Sequence, residues 1–114
     1  MRFYRQQTVK TVLLDITVST TLSAEVDLAG YGLVGLIIPT IETGAITFQV
    51  AQASGGSFVD LKDKSAAAIS ITAGTGGFAV SADDLAPLCA YRYIKVKTAG
   101  TQLANRTFAF VLKG

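Results

Sequence analysis

Histidine and tryptophan are absent from this chain of 114 residues, which also has only one cysteine, Cys89, and two prolines. The lack of histidine excludes histidine-based acid–base catalysis and the common zinc-finger ligand sets. A single cysteine excludes a disulfide within one chain and CxxC redox chemistry, so Cys89 is interpreted as a reduced, buried, small apolar residue. Since no histidine is present to activate a serine or threonine, we expect a protein that is not an enzyme and uses no cofactor.

Charged residues are also scarce. They make up 16% of the chain, whereas ordinary domains have about 25%. Half of the residues are apolar, and the mean hydropathy is +0.46. A chain of this length can bury the core of one domain, and the composition predicts additional apolar surface that a partner covers.

The few charges are unevenly distributed along the chain. Bases are concentrated in residues 1–10 and 92–113, whereas residues 11–60 contain acids and no base. This distribution favours packing against copies of the same chain or against a polar shell over coating a polyanion, so no nucleic-acid partner is predicted. The alternative is that the charges interleave in the folded protein and serve only solubility.

No apolar run is long enough to cross a membrane as a helix. The longest run, residues 33–38, ends at Pro39, far short of the ~20 residues that a membrane helix needs. We interpret it as a buried strand. The first residues are basic but are not followed by an apolar segment with a small-residue cleavage site, so we expect synthesis in a cytoplasm and no membrane partner.

Alternation of apolar and polar residues predicts strands through most of the chain. Leu14, Ile16 and Val18 alternate with polar residues, and the pattern resumes over residues 22–28, which predicts a half-buried hairpin turning at residues 19–21. At the other end of the chain, residues 107–112 alternate in the same way. Their apolar members are Phe108, Phe110 and Leu112.

Turn signals separate these strands at short intervals. Paired glycines in residues 54–57 predict a tight hairpin, because glycine supplies the positive φ that such a turn needs. Ser81, Asp84 and Pro87 predict a single turn of helix. We therefore predict an all-β fold: a single-domain antiparallel β-sandwich, jelly-roll-like, of roughly eight strands over residues 11–114, with one short helical turn.

The acidic residues form no recognisable catalytic or metal site. Asp83 and Asp84 are an adjacent carboxylate pair, which the capped helical turn explains better than glycosidase chemistry does. Asp60 and Asp63 lack the ligand spacing and the central glycine of an EF-hand loop. No metal site is predicted.

One strand combines aromatic and basic residues on a single face. Tyr91, Tyr93, Lys95 and Lys97 recur at every second position, which is typical of a contact surface and also of platforms that stack nucleic-acid bases. A plain solvated face is the alternative. A carbohydrate-binding β-sandwich is a second candidate function, since tyrosine rings stack on sugars. The tyrosines in question are Tyr4, Tyr31, Tyr91 and Tyr93.

Much of the chain from about residue 28 onward resembles a known class of virion proteins. The resemblance is carried by the order of residues 30–39 (GYGLVGLIIP), 46–51 (ITFQVA), 54–61 (SGGSFVDL), 92–97 (RYIKVK) and 106–112 (RTFAFVL). This succession of strands and turns is similar to the small all-β virion proteins of tailed bacteriophages, especially head decoration (cement) proteins. Similar patterns occur in phage fibre and connector components, where a carbohydrate-binding module is the alternative function.

The resemblance implies a non-enzymatic protein on the exterior of the virion. Such a protein binds the outside of an expanded capsid, holds neighbouring major capsid subunits together and forms a symmetric homo-oligomer, for which we favour a trimer. Within this hypothesis residues 1–10 are an arm whose anchors bind the capsid; an ordinary first strand or a frayed terminus is the alternative. The proposed anchors are Arg2, Phe3, Tyr4 and Arg5.

Overall fold

The computed structural model describes residues 9–28, 31–41, 44–72, 77–81, 85–88 and 90–113. Within these ranges the chain forms strands and one 3-10 turn, Ala86–Leu88, which confirms the all-β prediction. The strands are β1 (Val9–Ile16), β2 (Val26–Asp27), β3 (Gly32–Ile38), β4 (Ala45–Ala51), β5 (Val59–Asp60), β6 (Ser70–Thr72), β7 (Phe78–Ser81), β8 (Tyr93–Thr98) and β9 (Arg106–Lys113).

The strands form two antiparallel sheets in a jelly-roll order. Sheet A has the order β1-β9-β3-β7, and sheet B has the order β2-β8-β4-β5, with β6 also paired to β4. Because β8 occupies one edge of β4, β5 and β6 both lie along its other edge and act as two segments of one interrupted strand. If β5 and β6 are counted as one strand, the sandwich has eight strands, and the chain passes between the two sheets in the order of a jelly roll. This confirms the predicted sandwich.

The predicted hairpin over residues 14–28 is wrong. Strand β1 pairs with β9 in sheet A, whereas β2 pairs with β8 in sheet B, so the chain crosses between the sheets after Ile16. The crossing is held by long-range bonds: the Ser19 N–H donates to the Gln102 carbonyl at 2.9 Å, and the Val18 N–H donates to Asn105 Oδ1 at 2.8 Å. Alternation predicts a strand, but it does not specify the strand's partner.

The apolar sequence of β3 predicts a buried strand. In the structure the strand is buried on one face only. A register shift between Leu33 and Gly35 marks a β-bulge against β9. Leu33 and Leu36 point into the core, but Ile37 is 50% exposed. One outer face of this strand is therefore open.

The core lies between the two sheets. The predicted inward face of β9 is confirmed, since its three large apolar residues are fully buried. Sheet B contributes a matching set from β4 and β8, so the two sheets share one core. The central side chains are Phe108, Phe110, Leu112, Ile46, Phe48, Ile94 and Val96.

The predicted turn at residues 54–57 is present, but the hairpin is not tight, since residues 51–58 lie between the paired residues Val50 of β4 and Val59 of β5. Gly55 has a positive φ of 65°, and the Gly56 N–H donates to the Ala53 carbonyl at 3.0 Å. A Cβ on Gly56 would lie 2.9 Å from that same carbonyl oxygen, so the turn needs glycine there.

A helical turn is present as the 3-10 turn Ala86–Leu88, but it lies later than predicted, since Pro87 is inside it and Ser81, the predicted cap, is the last residue of β7. The turn places Leu88 in the core, where its side chain is 1% exposed. Asp83, Asp84 and Cys89 lie outside the described residues, so the predictions made for them stay predictions.

Candidate functional site

Strand β8 presents part of the face that the sequence predicts. Tyr93, Lys95 and Lys97 alternate with the fully buried Ile94 and Val96, so they lie on the outer side of sheet B. Lys95 and Lys97 are partly exposed there. On the neighbouring strand β4, the residues opposite Tyr93, Lys95 and Lys97 are Ala51, Gln49 and Thr47, respectively.

The two tyrosines of this predicted set do not offer exposed rings on the face. Tyr93 is only 7% exposed, and the guanidinium carbon of Arg92 lies 5.0 Å from its ring centroid. Tyr91 precedes β8, packs half-buried against the core and lines a cavity at one end of the sandwich. The β8 face therefore presents two lysines to solvent, and Tyr91 belongs to a different site.

A turn of sheet B folds across this face. Glu25, just before β2, accepts hydrogen bonds from the Ser54 hydroxyl at 2.6 Å and from the Gly55 N–H at 2.9 Å. Both bonds lower the pKa of the Glu25 carboxyl from its ordinary value of 4.5, and the bond from the Ser54 hydroxyl has the larger effect. Because β8 lies between β2 and β4 in the sheet, the turn that follows β4 must cross β8 to reach Glu25.

Two cations near the β8 face, those of Lys95 and Arg92, interact with groups of the same chain. The Lys95 ammonium lies 4.4 Å from the centroid of the Phe58 ring. Arg92 forms a two-point ion pair with Asp27, with Nε to Oδ1 at 3.1 Å and Nη2 to Oδ2 at 3.3 Å, and this carboxylate raises the pKa of Arg92. The sheet B face thus uses much of its charge within the chain.

The outer face of sheet A is different, because its central rows carry no charge. One row crosses all four strands and contains the exposed Leu13 and Ile37, at 63% and 50%. Its members, by register, are Leu13, Ala109, Ile37 and Ala79. The adjacent row contains Thr11, Val111, Gly35 and Ser81. We call these eight residues the uncharged face.

Among the described residues, a charged side chain lies at each end of the uncharged face along the β1–β9 pair. Lys113 lies opposite Val9 at one end of the β1–β9 pair. Asp15 lies at the other end and accepts a 2.7 Å hydrogen bond from the hydroxyl of its neighbour Thr107. The surface between them consists of small, apolar and uncharged polar side chains, which is typical of a contact between subunits.

A cavity of ≈ 300 Å³ opens at one end of the sandwich. It lies where the residues after β2 and β4 meet the residues that begin β3 and precede β8. Tyr31 and Tyr91, two of the four tyrosines predicted to stack on sugars, are both part of its wall. The lining residues are Leu28, Tyr31, Gly32, Leu33, Gln52, Ala90, Tyr91 and Arg92.

The predicted arm is described only where it joins the fold. Arg2, Phe3, Tyr4 and Arg5 lie outside the described residues. Val9 and Lys10, the last two residues of the predicted arm, are already paired with β9 as the first residues of β1. The described fold thus begins at residue 9, two residues inside the predicted arm.

Sequence reasoning missed both the uncharged face and the polar lining of the cavity. Gln52 and Arg92 carry no motif, and they reach the cavity only because β4 and β8 are neighbours in sheet B. A signal for the uncharged face was available, since Ala109 and Val111 alternate with the core residues of β9. The alternation did not show that Leu13 and Ile37 flank Ala109.

Two general searches of the described residues give negative findings. No group of three or more metal-ligating side chains is found there. Among the helices of the same residues, none is long and apolar enough to cross a membrane.

The jelly-roll sandwich is the class of protein that the described fold defines. Comparison with protein-family models, curated proteins and solved structures finds no match for the chain. Function therefore has to be argued from the surfaces of this molecule.

Proposed function

We propose that the protein is a non-enzymatic structural protein of a tailed-bacteriophage virion. It binds the outer capsid surface as a homo-oligomer and stabilises contacts between neighbouring major capsid subunits. The observation that supports this proposal most is the uncharged face, where Leu13 on the edge strand β1 and Ile37 on the inner strand β3 are exposed. An apolar area of this kind needs a protein partner.

We assign the uncharged face to the contact between copies of the chain. Interfaces between identical subunits are more apolar than transient ones, and they are buried as soon as the chain folds. A capsid contact forms later, so the free protein must stay soluble until it meets the shell. A polar or mixed surface suits that contact better than the row that contains Leu13 and Ile37.

The capsid contact in this proposal belongs to the residues before β1. Arg2, Phe3, Tyr4 and Arg5 combine aromatic rings with guanidinium groups, which are common energetic anchors of interfaces. If extended, the eight residues before β1 span at most about 29 Å, enough to reach beyond the domain onto a neighbouring subunit.

The fold is compatible with the proposal but does not select it. Double-sheet jelly rolls serve both as viral capsid domains and as lectin domains. The apolar composition and the uncharged face favour assembly over a purely soluble binding module.

The experiment is a molar-mass measurement by light scattering, followed by co-sedimentation with expanded capsids that lack the protein. We expect an oligomer that sediments with capsids at a saturable stoichiometry compatible with capsid symmetry. A monomer that does not co-sediment with capsids would overturn the proposal, and a carbohydrate-binding module would then be the remaining candidate.

The arm is tested with a charge-matched pair of variants. Arg2→Ala with Arg5→Ala removes two positive charges before β1, and Lys62→Ala with Lys64→Ala removes two from an exposed loop. We expect the first pair, but not the second, to abolish co-sedimentation while the oligomer persists. If both variants lose co-sedimentation equally, net charge alone explains the capsid contact. If Arg2→Ala with Arg5→Ala co-sediments as fully as the wild type, the arm hypothesis is refuted.

A further inference from the structure

The cavity at the end of the sandwich combines flat rings with paired polar groups. Tyr31 and Tyr91 supply rings that are partly exposed, while Leu28 and Leu33 close the inner wall as buried residues. Ligand sites are commonly concave and mostly apolar, with a few polar groups that fix orientation. At ≈ 300 Å³ the cavity is at the small end of their range, which suits a single small ring.

The polar groups of the wall can both donate and accept hydrogen bonds. Gln52 is held by two long contacts of 3.4 Å, from its Nε2 to the Ala90 carbonyl and from the Arg92 N–H to its Oε1. Contacts this long are weak, so the amide can exchange them for a ligand. Arg92 carries five N–H donors, of which the pair with Asp27 engages two.

The charge balance of the wall favours a neutral ligand over an anion. The Arg92 guanidinium is neutralised by the Asp27 carboxylate, 3.1 Å away. The Lys10 ammonium lies 5.1 Å from the centroid of the Tyr31 ring, where that ring engages it. A phosphate or carboxylate would therefore meet an already compensated cation.

We propose that this cavity binds a neutral saccharide through one pyranose ring. The ring packs against Tyr91 and Tyr31, and its hydroxyls bond to the side chains of Gln52 and Arg92, the two polar residues with long side chains that line the cavity. This site goes beyond the proposed capsid role. It uses the end of the sandwich, whereas assembly uses the uncharged face and the residues before β1.

The test follows the nuclear magnetic resonance spectrum of ¹⁵N-labelled protein during titration with glucose, galactose and N-acetylglucosamine, each to millimolar concentration. Inorganic phosphate serves as the anionic control. We expect at least one sugar to shift the Gln52 side-chain amide and the Arg92 Nε–H in a saturable way. Absence of such shifts with all three sugars, or shifts with phosphate alone, would overturn the proposal.

Variants separate the cavity from other surfaces. Tyr91→Ala should reduce the affinity for the responding sugar about tenfold or more, as expected for loss of one stacked ring. Val59→Ala, at an exposed position of β5, should leave it unchanged. If Tyr91→Ala does not fold, the affinity of Arg92→Lys for the sugar is the test. Lysine keeps the positive charge of Arg92 but cannot form two parallel hydrogen bonds as a guanidinium does.

Wild-type affinity in the folded Tyr91→Ala protein, or in Arg92→Lys where that variant decides, would refute the site. The titration uses no capsids, so its outcome is independent of the co-sedimentation result. Sugar binding and capsid binding are therefore judged separately.

Discussion

The outer faces of the two sheets differ in the contacts that their side chains make within the chain. On sheet B, Lys95 lies over Phe58, and a turn crosses the face to bond with Glu25. On sheet A, Leu13 and Ile37 are 63% and 50% exposed in rows without charge. On the predicted basic and aromatic face Lys95 already contacts a ring of the same chain, whereas the exposed apolar residues Leu13 and Ile37 are on the other sheet.

The largest expected effect comes from placing charge on the uncharged face. Leu13→Glu with Ile37→Glu should weaken association on the order of 100-fold or more, because burying unpaired carboxylates at an interface is strongly unfavourable. The matched control is Val59→Glu with Leu103→Glu, two positions that are 62% and 80% exposed elsewhere. Sedimentation equilibrium measures both, and equal dissociation constants would remove the distinction between the faces.

A smaller effect is expected from reversing charge on the β8 face. Lys95→Glu with Lys97→Glu removes the contact of the Lys95 ammonium with the Phe58 ring, so the free energy of unfolding should fall by about 1 kcal/mol. The oligomer should persist. Urea unfolding measures the stability, and loss of the oligomer without loss of stability would show that this face is the interface.

The smallest effect concerns the acid side of the stability profile. Glu25 has a lowered pKa in the folded protein, so its contribution is complete above pH 4.5 and is lost as the pH falls through the folded value. Glu25→Gln should flatten this part of the profile. Asp63→Asn, in an exposed loop, is the comparison. Thermal unfolding between pH 6 and pH 3 measures the slope, and an unchanged slope in Glu25→Gln would contradict the role of the bonds to Ser54 and Gly55.

Alternation along the chain was sufficient to predict the core and the sandwich. Phe108, Phe110 and Leu112 face inward as their spacing indicates, because side chains of a strand alternate between its two faces. The turn at residues 54–57 was predictable for a similar local reason, since the backbone there needs glycine.

Pairing between distant strands was not predictable in the same way. The hairpin over residues 14–28 failed because its two halves find partners in β9 and β8, far away along the chain. Tyr93 is buried, although the alternation predicts it on an outer face. The bond that holds the turn to Glu25 joins residues 29 positions apart. The exposure of Ile37 depends on a bulge that its apolar neighbours do not signal.

The uncharged face is tested most directly by hydroxyl-radical oxidation of the unmodified protein in solution, read by mass spectrometry of its peptides. Leu13 and Ile37 are compared with Val59 and Leu103, which have similar or greater exposure in the single chain. We predict that the first two residues are oxidised several-fold more slowly than the second two, because a neighbouring copy covers them. Oxidation of all four at rates that follow their exposure in the single chain would contradict the assignment.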